Sequence, residues 1–457
     1  MRRQRNVPSQ LQMIKNWLIC GILIAVPSGL LVAGFRTSSV GGVAISVDGV
    51  VAPIGPDASK QILEDMRKEI KTPTGEINVP VELRMVSLKG LEAACEESVK
   101  NNFGRLPDEV RFLAGLQRIQ YVFVYPEDND IVLAGPGEGW KVDENANVVG
   151  VTTGRPVLML DDLLVALRSA DQARQGGITC SIDPTQEGIQ RLNAFLSRQK
   201  GLNNMSPQVE AAMKEAFGPQ RVTIQGVPET SHFARVLLAA DYRMKRIAMN
   251  LDPTPLKALP SYLEIIKNQR ASAIANARPR WWLACNYEPL AASKDGLAWE
   301  LRGPGVKAMT EDEIITADGK RVAQGKTSPA AQEWADKMTQ QYDALSGRDT
   351  VFAELRNLMD MCVIAALIQK EQLPEKAGLS MPLLLESNSE MKVGSGNAPK
   401  TVAPQVSYLR GKNAFIVTAS GGVAVESWQV ADKKEIVAEV DQVREKAARN
   451  ERKSMWW

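Results

Sequence analysis

The chain holds one histidine, His232, and that sets the first limit on its chemistry. One imidazole excludes zinc sites built on several histidines, and any histidine-assisted nucleophile must use this residue. It follows Thr230 and Ser231 at a predicted helix start, so the simpler expectation is a partly exposed residue opening a helix. Serine nucleophile motifs are absent: no G-x-S-x-G occurs, and no S-x-x-K is matched by a K-T-G. The glycine-rich pieces GPGEG at 135–139 and GSG at 394–396 lack the Lys-Ser/Thr step of a phosphate loop and read as turns.

Carboxylates remain, because paired Asp or Glu side chains do acid and base work without any histidine. The candidates are Asp161 with Asp162, Asp128 with Asp130, and the run Glu311, Asp312, Glu313. Each has a plainer reading. Asp161 and Asp162 start a helix, where negative charge suits the dipole; Asp128 and Asp130 populate a hairpin turn; the acidic run reads as a solvated face. Nothing in the sequence sets two carboxyls at a working separation, and Asp128 with Asp130 lacks the remaining spacing of a calcium loop. No catalytic, cofactor-binding or metal-binding residue is therefore assigned, and no cofactor is expected.

Cys95, Cys180, Cys285 and Cys362 each lie among apolar neighbours at helix or strand spacing. An oxidising compartment would let them form two disulfides, yet four cysteines are sparse for a disulfide framework in a chain of this length. The expectation is four buried thiols that stay protonated, since nothing positions His232 or a cation beside them. Trp281 and Trp282 are adjacent and so face opposite sides of a strand: either one is exposed beside Tyr287 or Trp299, or one is core and the other packs against a neighbouring helix. At the end, Trp456 and Trp457 follow a basic helix and suit a membrane interface, a partner groove or a frayed tail.

The elements that must position these residues follow from periodicity. VAISVDGVV at 43–51 alternates as a strand, and Ile62, Leu63, Met66 and Ile70 repeat at helical spacing. Val79, Val81, Leu83 and Met85 alternate, after which Ser87 caps a helix with Leu88, Leu91, Cys95 and Val99 on one face. YVFVY and IVLAG, then GWKVD and NVVGV, read as hairpins, and Pro156 to Ala170 as a helix. Asp183-Pro184-Thr185 and Asp252-Pro253-Thr254 each read as a helix start, with Asp as cap and Pro at the first position. A helix is expected from about Ser231 to Met249, strands in RWWLACNYEPL and LAWEL, and a turn at Asp318-Gly319. Two helices follow near 329–345 and 349–371, the second with Val351, Leu355, Leu358 and Cys362 as its stripe. FIVTASGGVAVESW reads as a last hairpin, and Ile436, Val437, Val440 and Val443 as the stripe of a charged C-terminal helix. The fold class is α+β: strand-helix units and β-hairpins, with a helical hairpin near residues 329–371. The expected organisation is a signal peptide or signal anchor at 1–35, an N-terminal α+β domain at 36–175, a central α/β region at 176–275, a C-terminal α+β domain at 276–428 and a charged helix and tail at 429–457.

Arg2, Arg3, Arg5 and Lys15 precede an uncharged apolar run from Trp17 to Phe35. This is the layout of an exported or membrane-anchored chain, and its length suits both a cleaved signal and a retained anchor. With 44% hydrophobic and 24% charged residues and a net charge of +2, the remainder is ordinary globular material without the basic stripe of a nucleic-acid binder.

The segments AGPGEGWKVDENANVVGVTTGRPVLMLDDLLVALR, ITCSIDPTQEGIQRL, ARVLLAADYRMKRIAMNLDPTPLKALPSYL and RWWLACNYEPL resemble a family of exported planctomycete proteins defined only by a domain of unknown function. The resemblance spans about residues 40 to 430. It implies export and a shared fold and brings no catalytic residues. The functional expectation is an exported or membrane-anchored cell-envelope protein with a non-catalytic binding or structural role, its partner an envelope protein or polymer. The alternative is a carboxylate-dependent hydrolase acting on envelope polymers.

Overall fold

Two mixed sheets organise the molecule. The larger has seven strands in the order Arg321–Ala323, Gly305–Ile315, Arg278–Asn286, Ser420–Val425, Ile178–Asp183, Gln220–Gln225 and Thr401–Val402. The smaller has six, in the order Lys434–Ile436, Leu290–Ala292, Ala298–Glu300, Tyr121–Tyr125, Asp130–Gly137 and Val81–Ser87. One neighbouring pair in each sheet is parallel and the rest are antiparallel. This computed structural model describes residues 38–40, 43–45, 51–53, 56–101, 106–198, 206–267, 278–316, 320–386, 390–391, 396–409 and 415–449. The basic and apolar N-terminal run, Asp318-Gly319 and the two terminal tryptophans lie outside the described residues.

The α+β class holds, and Thr37–Trp457 forms one compact unit. The sequence boundaries at 175, 275 and 428 fall between strands that share sheets: 178–183 sits beside 420–425, and 298–300 beside 121–125. Strand Ser420–Val425 reaches the middle of the larger sheet because its second and third residues are glycines. A Cβ on Gly421 would lie 1.9 Å from the Trp281 carbonyl oxygen, and one on Gly422 would lie 1.8 Å from that of Cys180. Gly421 also has φ +102°, a conformation that favours glycine.

Helix His232–Ala248 packs on this sheet and is fastened by a charge. The buried Lys245 ammonium donates to the carbonyls of Ile182 (2.6 Å) and Gly421 (3.0 Å) and to Asp241 (3.0 Å), while Asp241 accepts from the Ile182 amide (2.9 Å). The helical hairpin appears as Pro329–Gln340 and Thr350–Lys370 with the short Tyr342–Ser346 between them. The Val351, Leu355, Leu358 and Cys362 stripe is buried, but so is almost every other residue from 351 to 368. A helix apolar on most sides belongs in the core.

Several local readings are corrected. VAISVDGVV is two antiparallel strands, Val43–Ile45 and Val51–Pro53. The helix expected from Pro156 runs Leu160–Gly176, because Pro156 bridges to Val149 and the Leu158 amide donates to Leu116, which keeps that stretch extended. Thr185, not Asp183, caps helix Gln186–Arg198, its hydroxyl accepting from Gly188 (3.0 Å). Asp183 instead accepts from Arg321 (2.9 Å) and the Gly421 amide (3.2 Å). No helix starts at Asp252, which accepts from Arg243 and Arg246; the next begins at Tyr262 behind a Ser261–Glu264 capping box. FIVTASGGVAVESW is no hairpin: Phe415–Val417 pairs with Ser407–Leu409, and 420–425 joins the larger sheet. Ile436 ends a strand and is 60% exposed, whereas Val440 and Ala447 of helix Ala438–Arg449 cover Met85, Phe123 and Tyr125.

Candidate functional site

Residues from three helices line one partly open cavity of about 130 Å³. Helix His232–Ala248 contributes His232, helix Leu160–Gly176 contributes Asp162, and helix Thr350–Lys370 contributes Glu354, Asn357, Leu358 and Met361. The Ala146–Val148 turn, the extended Val157–Met159 and Met66 complete the wall.

The sequence fixes His232 through its neighbour. The Ser231 hydroxyl accepts from the Ala234 amide (3.1 Å) and donates to the Pro228 carbonyl (2.6 Å), which places His232 at the first helical position. Its Nδ1 lies 2.9 and 3.1 Å from the two carboxylate oxygens of Asp162. A carboxylate only accepts, so Nδ1 carries the proton in this contact. The His232 side chain is 15% exposed and that of Asp162 5%, so the partly exposed helix start expected from sequence holds, with the Asp162 dyad added by the fold. Burial opposes the imidazolium, but the Asp162 carboxylate outweighs it and raises the His232 pKa above 6.5, with Glu354 adding to the rise.

Glu354 was not singled out in the sequence. Its Oε2 is sealed from solvent with no hydrogen-bond partner among the described residues. Burial pushes its pKa up to about 7; His232 pulls the other way, while Asp162, Asp143 and Asp349 push in the same direction as burial. Spacing contained a signal: Glu354, Leu358 and Met361 are i, i+4 and i+7, one face of a helix whose neighbours are apolar. A lone acid on that face is the position to query.

The other candidates stay apart. Asp161 is not in the cavity wall. Asp130 accepts from the Lys89 amide (3.1 Å), and the Asp128 carbonyl accepts from the Lys89 ammonium (2.7 Å), a turn fastening. Glu311, Asp312 and Glu313 are corrected from a solvated face: Glu313 is buried and accepts from the Ser420 hydroxyl (2.7 Å), Glu311 accepts from the Gly325 amide (3.1 Å), and Asp312 faces Ser328 (3.4 Å). Trp281 is buried between Tyr262 and Trp334, while Arg280 covers the partly exposed Trp282 on the other side. Tyr287 donates to the buried Asp360 (2.7 Å), and Trp299 is core.

Cys95, Cys180 and Cys362 are buried free thiols, and Cys285 is only partly buried, a correction to the expectation of four. Burial raises all four pKa values, those of Cys95 and Cys285 to about 12. Among the described residues no group of three or more His, Cys, Asp or Glu could hold a metal ion, and no helix is long and apolar enough to cross a membrane.

Residues 180–262 match a family described as a protein of unknown function (DUF1598). The match takes in His232 and the Asp241–Lys245 pair but neither Asp162 nor Glu354. No curated protein and no solved structure matches the chain.

Proposed function

We propose that the chain is an exported or membrane-anchored cell-envelope protein whose role is to bind a small molecule, without catalysis, in the cavity of His232, Asp162 and Glu354. The observation that carries the binding role is the partly open, largely apolar cavity with a buried carboxylate oxygen that nothing in the described chain satisfies. A buried polar atom without a partner is costly, and a ligand donor would relieve that cost. The volume is close to that of a cavity that admits benzene, ~150 Å³. Among the described residues the wall holds no Ser, Thr, Cys, Lys or Tyr, which leaves Asp162, Glu354 and His232 as its reactive groups. Export is supported by Arg2, Arg3, Arg5 and Lys15 ahead of residues 17–35 and by the resemblance to exported planctomycete proteins.

The hydrolase alternative draws on Asp162 and Glu354 sharing one cavity, but a polymer strand does not fit a space for a few heavy atoms. Ligand-observed NMR on the purified full chain tests the binding role: benzene or n-butanol should show saturation transfer, and Leu358→Trp, which fills the cavity, should abolish it. Absence of transfer from wild type with both probes would remove the reading. Fractionation of native cells tests location, and recovery of the chain in the cytosol would overturn export.

A further inference from the structure

We infer that the ligand taken between His232, Asp162 and Glu354 carries an aliphatic ammonium, its nitrogen on the Glu354 carboxylate and a short apolar body against Met159, Leu358 and Met361. The inference rests on the binding role proposed above and names the ligand class.

Charge balance carries it. The carboxylates acting on Glu354 are Asp162 at the start of one neighbouring helix, Asp143 in the turn beside Asn147, and Asp349 ahead of its own helix; the opposing cation is His232. His232 is already committed to Asp162 at 2.9 Å. Arg235, the other cation felt at this site, donates to the Gly396 carbonyl (2.7 Å). Asp349 accepts from Arg243 (2.7 Å), which offsets part of its field. Met66 brings no charge from the remaining helix. With Glu354 ionised, the described wall is therefore short of one cation, and an anionic guest would add to the excess.

Hydrogen bonding points the same way. Asn147 donates to Asp143 (3.1 Å) and Asn357 approaches the Pro156 carbonyl (3.4 Å), so both amide groups already face protein acceptors. The unmet acceptor is Glu354 Oε2. An ammonium supplies donors and no acceptor, so one N–H meets Oε2 and the others are left to the second carboxylate oxygen and the open side of the cavity, whereas a hydroxyl brings one donor and two lone pairs that would need partners.

The same geometry links binding to protons. In the empty cavity burial favours the neutral Glu354 carboxyl up to about pH 7. An ammonium guest requires the ionised form, so affinity should rise from pH 5.5 to pH 8, where an amine with an ordinary pKa near ~10 is still charged.

The experiment uses the full chain and the probes n-butylammonium, n-butanol and butyrate, titrated by NMR. Because His232 is the single histidine, its ring proton signal reports occupancy without assignment. At pH 8, n-butylammonium should bind at least about tenfold more tightly than n-butanol, and butyrate should bind most weakly. Glu354→Gln should bring the ammonium-to-butanol ratio to about one, with thermal unfolding checking that the variant folds. In wild type, which needs no variant, n-butylammonium affinity should weaken several-fold at pH 5.5. Equal affinities of n-butylammonium and n-butanol, or a pH-independent ammonium affinity, would overturn the ammonium inference while leaving the binding role standing. No binding by any of the three would remove the binding role itself.

Discussion

His232 and Glu354 respond in opposite ways to the same burial, and the difference is measurable at each residue. Asp162 is the main support of the imidazolium against burial, with Glu354 adding to it, so the single-histidine NMR titration should give a pKa above 6.5, and Asp162→Asn should lower it, because the larger of the two supports is then gone. An unchanged titration in the variant would mean that the dyad does not form. For stability, the His232 contribution is fully present below 6.5 and is lost as pH rises through its raised folded value. Glu354 acts in the same sense: its folded pKa of about 7 against an ordinary 4.5 means that ionisation is disfavoured in the fold as pH passes through that interval. At ~1.4 kcal/mol per pKa unit, the Glu354 part is on the order of 3–4 kcal/mol. Unfolding free energy measured in urea should thus decline between about pH 5 and pH 7, and Glu354→Gln should flatten the decline. A slope the same as wild type in that variant would refute the assignment. Of these residues the sequence exposed His232, by its rarity, and Asp162, by its place in a helix start. Their meeting was not legible, because they are 70 positions apart and pair through tertiary packing.

At the scale of elements, periodicity recovered those whose signal is local. The helix from Ser231, the strand around Cys180 with its buried Ile178 and Ile182, and the hairpin of YVFVY with IVLAG need only their own side-chain pattern. The two Asp-Pro steps misled about the cap for one reason: a carboxylate before proline resembles a cap locally, yet arginines claim both Asp183 and Asp252, so a helix follows the first step behind Thr185 and none follows the second. The glycine pair at 421–422 misled in the same way, as a turn signal that serves instead for close strand approach. Gly422→Ala would set a Cβ 1.8 Å from the Cys180 carbonyl oxygen in the neighbouring strand, so a loss of about 3 kcal/mol or more is expected in urea unfolding. An unchanged midpoint would show that the strand sits elsewhere. The charge fastening helix to sheet makes a second, sharper case. Lys245→Met leaves Asp241 buried without its cation and two carbonyls without their donor, which should cost about 3–5 kcal/mol. Replacing both partners, Lys245→Met with Asp241→Leu, should recover much of that loss. A double variant less stable than the single one would reverse this account.

For the whole molecule, sequence-distant segments complete each sheet, so the part from Thr37 onward should unfold as a unit. That arrangement has consequences for the thiols. Cys180 lies in a central strand of the larger sheet, Cys362 in the buried helix Thr350–Lys370 and Cys95 under Leu88 and Leu91, each covered by segments from elsewhere in the chain. Cys285 sits near the end of its strand and is partly buried, yet its pKa is raised to about 12 by burial, so little thiolate forms at neutral pH. A chain beginning at Thr37 should be recovered without detergent, since no described helix is long and apolar enough to span a bilayer. Thiol titration of that chain without reductant should find no fast-reacting group in the native state and four after denaturation. A count of two or zero after denaturation would mean that oxidation had joined the cysteines. Gradual release of one thiol at a time along a urea series would argue instead that the sheets open separately. A single step in which Cys95, Cys180 and Cys362 become reactive together is what shared sheets require, because no one of them can be uncovered without displacing strands that belong to the others' cover.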